Sequence, residues 1–140
     1  LLIAVLEEVI FRGYVVYQLM AYSTPLAILG SSLSYALVHL RGSLVWPATA
    51  FELIGLWILG VILVLSRLRT GQLYFAIGLH ASLAYCARVN KLLVAFPDST
   101  IAWLVGTNRL VNGVVTWLVL IAIGWIITRR TAHPSEGGAA

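Results

Sequence analysis

The chain has 140 residues, 61% of them hydrophobic and only 10% charged, against about 25% charged in an ordinary soluble domain, and its mean hydropathy is +0.97. A soluble fold cannot hide that much apolar surface, so the composition places the chain in a lipid bilayer. The net charge of +4 does not indicate nucleic acid, because Arg67, Arg69, Arg129 and Arg130 flank apolar runs, where basic side chains anchor to headgroups.

The sequence begins at a leucine, with an acidic pair six residues later and no basic segment with a cleavage site ahead of it. This predicts a fragment whose native N-terminus, with further spans, lies upstream. The first helix is predicted from the start to about Tyr22, and it carries Glu7, Glu8 and Arg12. Ser23-Thr24-Pro25 supplies a cap followed by proline at a first helical position, so a second helix starts near Pro25 and runs to about Leu40, ending before Arg41-Gly42. Pro47 is a plausible start for the third helix, which is uncharged from residue 53 to 66 between Glu52 and Arg67. A fourth follows Arg69-Thr70-Gly71, carries His80 and turns polar at Arg88, Asn90 and Lys91 before Pro97-Asp98-Ser99 closes it. The fifth, 110–128, has no charge between Arg109 and Arg129. The fold class is therefore all-α: a polytopic transmembrane helical bundle with about five helices, each apolar run judged against the ~20 residues that cross a bilayer. Cys86 excludes an internal disulfide and reads as small apolar filler on the fourth helix.

Each ionisable group at bilayer depth costs roughly 2.5 to 3.5 kcal/mol, so two acids, an arginine and two histidines there call for a function. Glu8 and Arg12 are spaced i, i+4 and stack on one face, which favours a structural ion pair. Glu7 points about 100° away and has no partner in its own helix. An unneutralised carboxylate in a low-dielectric site suits a general base. On the second helix Ser31, Tyr35 and His39 form a polar stripe, and on the fourth His80 sits among Gly78, Ala81 and Ser82, small residues that admit a close helix neighbour. Each lone histidine also reads as a satisfied core residue, and convergence of Glu7, His39 and His80 from three spans is the functional alternative.

These residues together resemble a known family. Glu7, Glu8, Arg12 and Gly13 match EExxxRG, Tyr35 and His39 match an aromatic-xxx-His, and His80 follows a Leu68-Arg69-Thr70-Gly71 loop within Gly78-Leu79-His80-Ala81. The pattern is similar to the CPBP family of CAAX prenyl proteases and bacterial Abi-type intramembrane proteases. The resemblance covers a catalytic core over 1–95; by composition 96–130 reads as a loop and an additional transmembrane helix and 131–140 as a disordered polar tail. The resemblance implies a glutamate-dependent endopeptidase in which Glu7 activates the attacking water, His39 holds it, His80 stabilises the oxyanion, and Glu8 and Arg12 support the site. His39, His80 and Glu7 also have the ligand types of a catalytic zinc site, without the HExxH spacing that would fix one. The family aromatic is usually Phe where this chain has Tyr35. The family also has Asn or Asp four residues after the second histidine, where this chain has Ala84, which removes a polar partner of the oxyanion or water.

Three classes of function stand side by side. An intramembrane endopeptidase would cut a peptide or lipidated protein near the bilayer surface. A catalytically inactive scaffold or bacteriocin-immunity-like binding protein of the same family is favoured by Ala84. A proton- or ion-coupled transporter would use Glu7 and the histidines as a relay. The expected location is integral in a membrane, that of a bacterial cell, with peptide or lipidated-protein substrate and bilayer as partners and no nucleic acid. Basic residues divide four against three between Arg67, Arg69, Arg129 and Arg130 on one side and Arg88, Lys91 and Arg109 on the other, which does not orient the chain. Trp46 and Trp103 lie near predicted helix ends, as interfacial aromatics do, and His133 reads as solvated.

Overall fold

The computed structural model describes residues 2–40, 46–93, 102–106 and 111–130, and within them every regular element is helical. The predicted helix closure at Pro97-Asp98-Ser99, the residues Arg41 and Arg109, and the tail 131–140 with His133 lie outside the described residues.

The first helix is built from three pieces end to end: α1 (Leu2–Glu8), a π-helical segment (Val9–Val15) and α2 (Val16–Met20). The sequence predicts one regular helix here, so the π segment is a correction. Wider turns have poorer hydrogen-bond geometry and persist where tertiary contacts hold them. The Ser31 hydroxyl donates to the Phe11 carbonyl at 3.0 Å, and Arg12 is fully buried inside the bundle. Ser23, in extended conformation, accepts the Leu26 amide at 3.3 Å and caps α3 (Thr24–His39), with Pro25 in the first turn. Pro47 precedes α4 (Ala48–Thr70), which stops at Gly71 with φ 71°, the left-handed cap that glycine adopts without strain. Then come α5 (Tyr74–Leu93), the short α6 (Ala102–Val105) and α7 (Val114–Arg130). Of the run predicted as a span from 110 to 128, the described residues 111–113 are not helical and α7 begins at Val114; Gly113 packs its backbone on Gly106, where a Cβ would be 2.5 Å from the Gly106 nitrogen.

Helix α4 is the centre of the bundle and packs on α3, α5 and α7. Its Leu56, Leu59, Ile62 and Leu63 meet Tyr35 and Ala36 of α3, Ala76 of α5 and Leu120 of α7. Gly60 makes the α3 crossing close, since a Cβ there would stand 3.0 Å from the Ser32 Cα. Small residues at such crossings matter more in lipid than in water, because van der Waals packing rather than the hydrophobic effect holds the helices together. The expected close approach at Gly78, by contrast, is not made: among the described residues nothing lies within 4 Å of a Cβ built there.

The outward faces are apolar. Leu29, Leu33 and Leu37 on α3 and Leu118, Ile121 and Trp125 on α7 are all exposed, a surface that suits acyl chains. Of the described helices, α4 alone, with 23 residues, is both long and apolar enough to cross a membrane. It is about 35 Å long at 1.5 Å per residue, against about 30 Å of hydrocarbon. The apolar Val114–Arg129 is shorter.

Candidate active site

The two adjacent glutamates take different surroundings because consecutive positions on a helix diverge by about 100°. Glu8 turns into the bundle and is fully buried. Its Oε1 accepts from Arg12 Nη1 at 3.1 Å and from His80 Nδ1 at 2.8 Å. The expected i, i+4 ion pair is therefore present, and it is tied to α5 through His80, a contact that spacing alone did not indicate. Arg12 also reaches the Gly60 carbonyl, Nη2 to O 3.5 Å, and its guanidinium lies 4.2 Å from the centre of the Tyr35 ring. A backbone carbonyl and an aromatic face are what a buried guanidinium needs beyond its carboxylate. Glu8 Oε2 and Arg12 Nε have no hydrogen-bond partner among the described residues.

Glu7 faces the other way, toward α3 and α5. Its Oε2 is 3.1 Å from His39 Nε2 and 3.5 Å from His80 Nε2. The Glu7 and His39 side chains keep 22% and 21% of their surface, while His80 keeps 8%, so the convergence point is reachable from one side and walled on the other. Glu7, His39 and His80 thus come together from three helices, and Glu8 and Arg12 stand directly behind them. No predicted site residue is left out of the cluster.

The hydrogen bonds fix both imidazoles. A carbonyl accepts only, so His39 Nδ1, 2.8 Å from the Tyr35 carbonyl, carries a proton. His80 Nδ1 likewise gives its proton to Glu8 Oε1, which also accepts from Arg12. In their neutral forms both rings then turn the Nε2 lone pair toward Glu7, whose oxygen is also an acceptor. The His80 Nε2 lone pair is met by the Tyr35 hydroxyl at 3.3 Å, whereas His39 Nε2 and Glu7 Oε2, two acceptors 3.1 Å apart, call for a shared proton, a donating water or a cation between them. One ligand atom from each of Glu7, His39 and His80 lies within 4.8 Å of the others. Donors about 2.0 to 2.2 Å from a tetrahedral zinc are about 3.3 to 3.6 Å apart, and each imidazole is oriented by an outer partner, as metal-bound histidines are. The ligand types and the two contacts to Glu7 suit a zinc ion, whereas the spread of up to 4.8 Å across the trio is wider than tetrahedral ligands take.

The polar stripe on α3 is used in full. Ser31 secures the π segment, the Tyr35 carbonyl orients His39, and the Tyr35 hydroxyl sits 3.3 Å from His80 Nε2. Sequence reading missed the Gly60 carbonyl, for which a mid-helix glycine is the only signal. Away from the site, Trp117 Nε1 donates to the Val111 carbonyl at 2.8 Å and stacks on Phe51, and Cys86 is exposed on α5.

The profile of type II CAAX prenyl endopeptidase Rce1-like proteins matches residues 1–86. The chain belongs to that family. The matched stretch contains all five clustered residues and ends before α6 and α7. No curated protein and no solved structure matches the chain. Membership of a membrane-protease family, taken with the long apolar α4, points to an integral membrane protein.

Proposed function

We propose that the chain is an intramembrane endopeptidase that hydrolyses a peptide bond with a water activated by Glu7. The observation that carries this reading is the convergence of Glu7, His39 and His80, from three helices, on one half-open point. A water there has Glu7 to take its proton and the His39 Nε2 lone pair to orient it. His80, when doubly protonated against Glu8, offers Nε2–H to the oxyanion; Glu8 and Arg12 hold that ring in place. The wall formed by Glu8, Arg12 and Tyr35 excludes bulk water behind the reacting carbonyl and strengthens each of these interactions. A zinc ion held by Glu7, His39 and His80 would supply Lewis-acid polarisation and a more acidic bound water.

The substrate class follows from the family: a peptide or prenylated protein, cut near the bilayer surface on the C-terminal side of a lipidated cysteine, or a small membrane peptide. A second reading, a scaffold without catalysis, is favoured by the exposed methyl group of Ala84, one turn beyond His80. Purified protein in detergent or bilayer, offered a quenched peptide library, tests both. Cleavage by wild type and its loss in Glu7→Gln and His39→Ala support the peptidase, and sensitivity to a chelator assigns the metal. A folded wild type that cleaves nothing across the library supports the scaffold.

A further inference from the structure

The tautomers of the two histidines leave the site short of donors. His39 Nδ1–H is spent on the Tyr35 carbonyl and His80 Nδ1–H on Glu8. Arg12 points Nη1 and Nη2 at Glu8 and Gly60, behind the Tyr35 ring. Glu7 and the His39 Nε2 are acceptors, and His80 offers Nε2–H only when that ring is doubly protonated. A tetrahedral intermediate, however, puts a full negative charge on the former carbonyl oxygen and needs a donor already in place.

The Tyr35 hydroxyl is that donor. Its oxygen lies 3.3 Å from His80 Nε2, inside the cluster, on a side chain that is 1% exposed. The ring cannot swing. It is packed edge-on to Phe11 with centroids 5.6 Å apart, tilted 42° against His39 at 4.2 Å, edge-on to His80 at 5.7 Å, and covered by the Arg12 guanidinium. Only the O–H bond is free to rotate, and 3.3 Å is a long contact to give up for a short one to an oxyanion.

We propose that Tyr35 is a catalytic residue whose hydroxyl hydrogen-bonds the oxyanion formed at the scissile carbonyl, in concert with His80. This rests on the peptidase reading given above. As the water oxygen bonds to the carbonyl carbon, Glu7 takes the water proton and the carbonyl π pair moves onto oxygen, where Tyr35 meets it without losing its own proton. Collapse restores the carbonyl and breaks the C–N bond, and the proton held by Glu7 leaves with the amine.

The test compares Tyr35→Phe with wild type and Glu7→Gln, using the full chain in detergent micelles and a quenched peptide that wild type cleaves. Loss of one oxyanion donor is expected to lower kcat by about 10²- to 10³-fold, with KM within twofold and the melting temperature unchanged. Wild-type kcat in a folded Tyr35→Phe protein would overturn the inference while Glu7→Gln, inactive, still upheld the peptidase. Absence of cleavage by wild type as well would remove the peptidase reading and this inference with it. Should Tyr35→Phe fold poorly, 4-fluorophenylalanine at position 35 keeps the ring and a small para substituent but removes the donor. The same fall in kcat, about 10²- to 10³-fold, is then expected; wild-type kcat in that folded protein would overturn the role.

Discussion

Glu7 and Glu8 are neighbours in sequence, yet they belong to two different halves of the site. The Glu8 half is closed: Glu8, Arg12 and Tyr35 are at most 1% exposed, and a carboxylate, a guanidinium, a backbone carbonyl and an imidazole are hydrogen-bonded to one another. The Glu7 half keeps about a fifth of its side-chain surface, and its atoms face a point rather than a partner's matching group. Two chemically identical acids are thereby given separate surroundings by the helix rotation between them, one closed into the scaffold and the other half-exposed.

The contrast breaks first at Arg12. Removing one member of a buried pair leaves an uncompensated charge, so Arg12→Met is expected to lose about 3 to 5 kcal/mol of stability, read as a fall in thermal unfolding temperature in detergent. Combining it with Glu8→Leu should be milder than Arg12→Met alone, because no charge is then stranded; a double variant worse than the single would show that the pair contributes more than mutual neutralisation. Gly60→Val tests the backbone of the closed half. With Ser32 atoms 3.0 Å from its Cβ position, the α3–α4 crossing must open, at about 1 to 3 kcal/mol, and the Arg12 contact to the Gly60 carbonyl goes with it. Ser31→Ala should cost about 1 kcal/mol by removing the hydroxyl from the Phe11 carbonyl. On the open side, His39→Ala should move stability by less than about 1 kcal/mol while abolishing cleavage; a large loss of stability there would erase the distinction between the halves.

Much of this arrangement was legible in the residues. The i, i+4 spacing of Glu8 and Arg12 and the i, i+4, i+8 spacing of Ser31, Tyr35 and His39 are helical geometry, and each reappears as a contact. The cap at Ser23 is local chemistry, so the α3 start fell where expected, whereas α4 runs on to Thr70 through residues read as a loop. What sequence did not carry is set by neighbours distant in the chain. The π segment depends on contacts from α3, the choice of Glu8 as the acceptor for His80 depends on how α5 docks, and the place of the Tyr35 hydroxyl depends on both. Read in isolation, Tyr35 is only a mild change from the family's phenylalanine; beside His80 its oxygen becomes the feature that distinguishes this site. The small residues around His80 misled in the other direction, because a surface permissive of close packing does not require a neighbour to occupy it.

The most direct measurement places Glu7→Gln and Glu8→Gln side by side, with peptide cleavage and thermal unfolding recorded on the same preparations. Glu7→Gln should retain the wild-type unfolding temperature and lose cleavage by about 10²- to 10⁴-fold, the range of a general base, whereas Glu8→Gln should unfold at clearly lower temperature because Arg12 loses its counter-charge. A Glu7→Gln protein that still cleaves at the wild-type rate, or a Glu8→Gln protein as stable as wild type, would contradict the division of labour between the two acids.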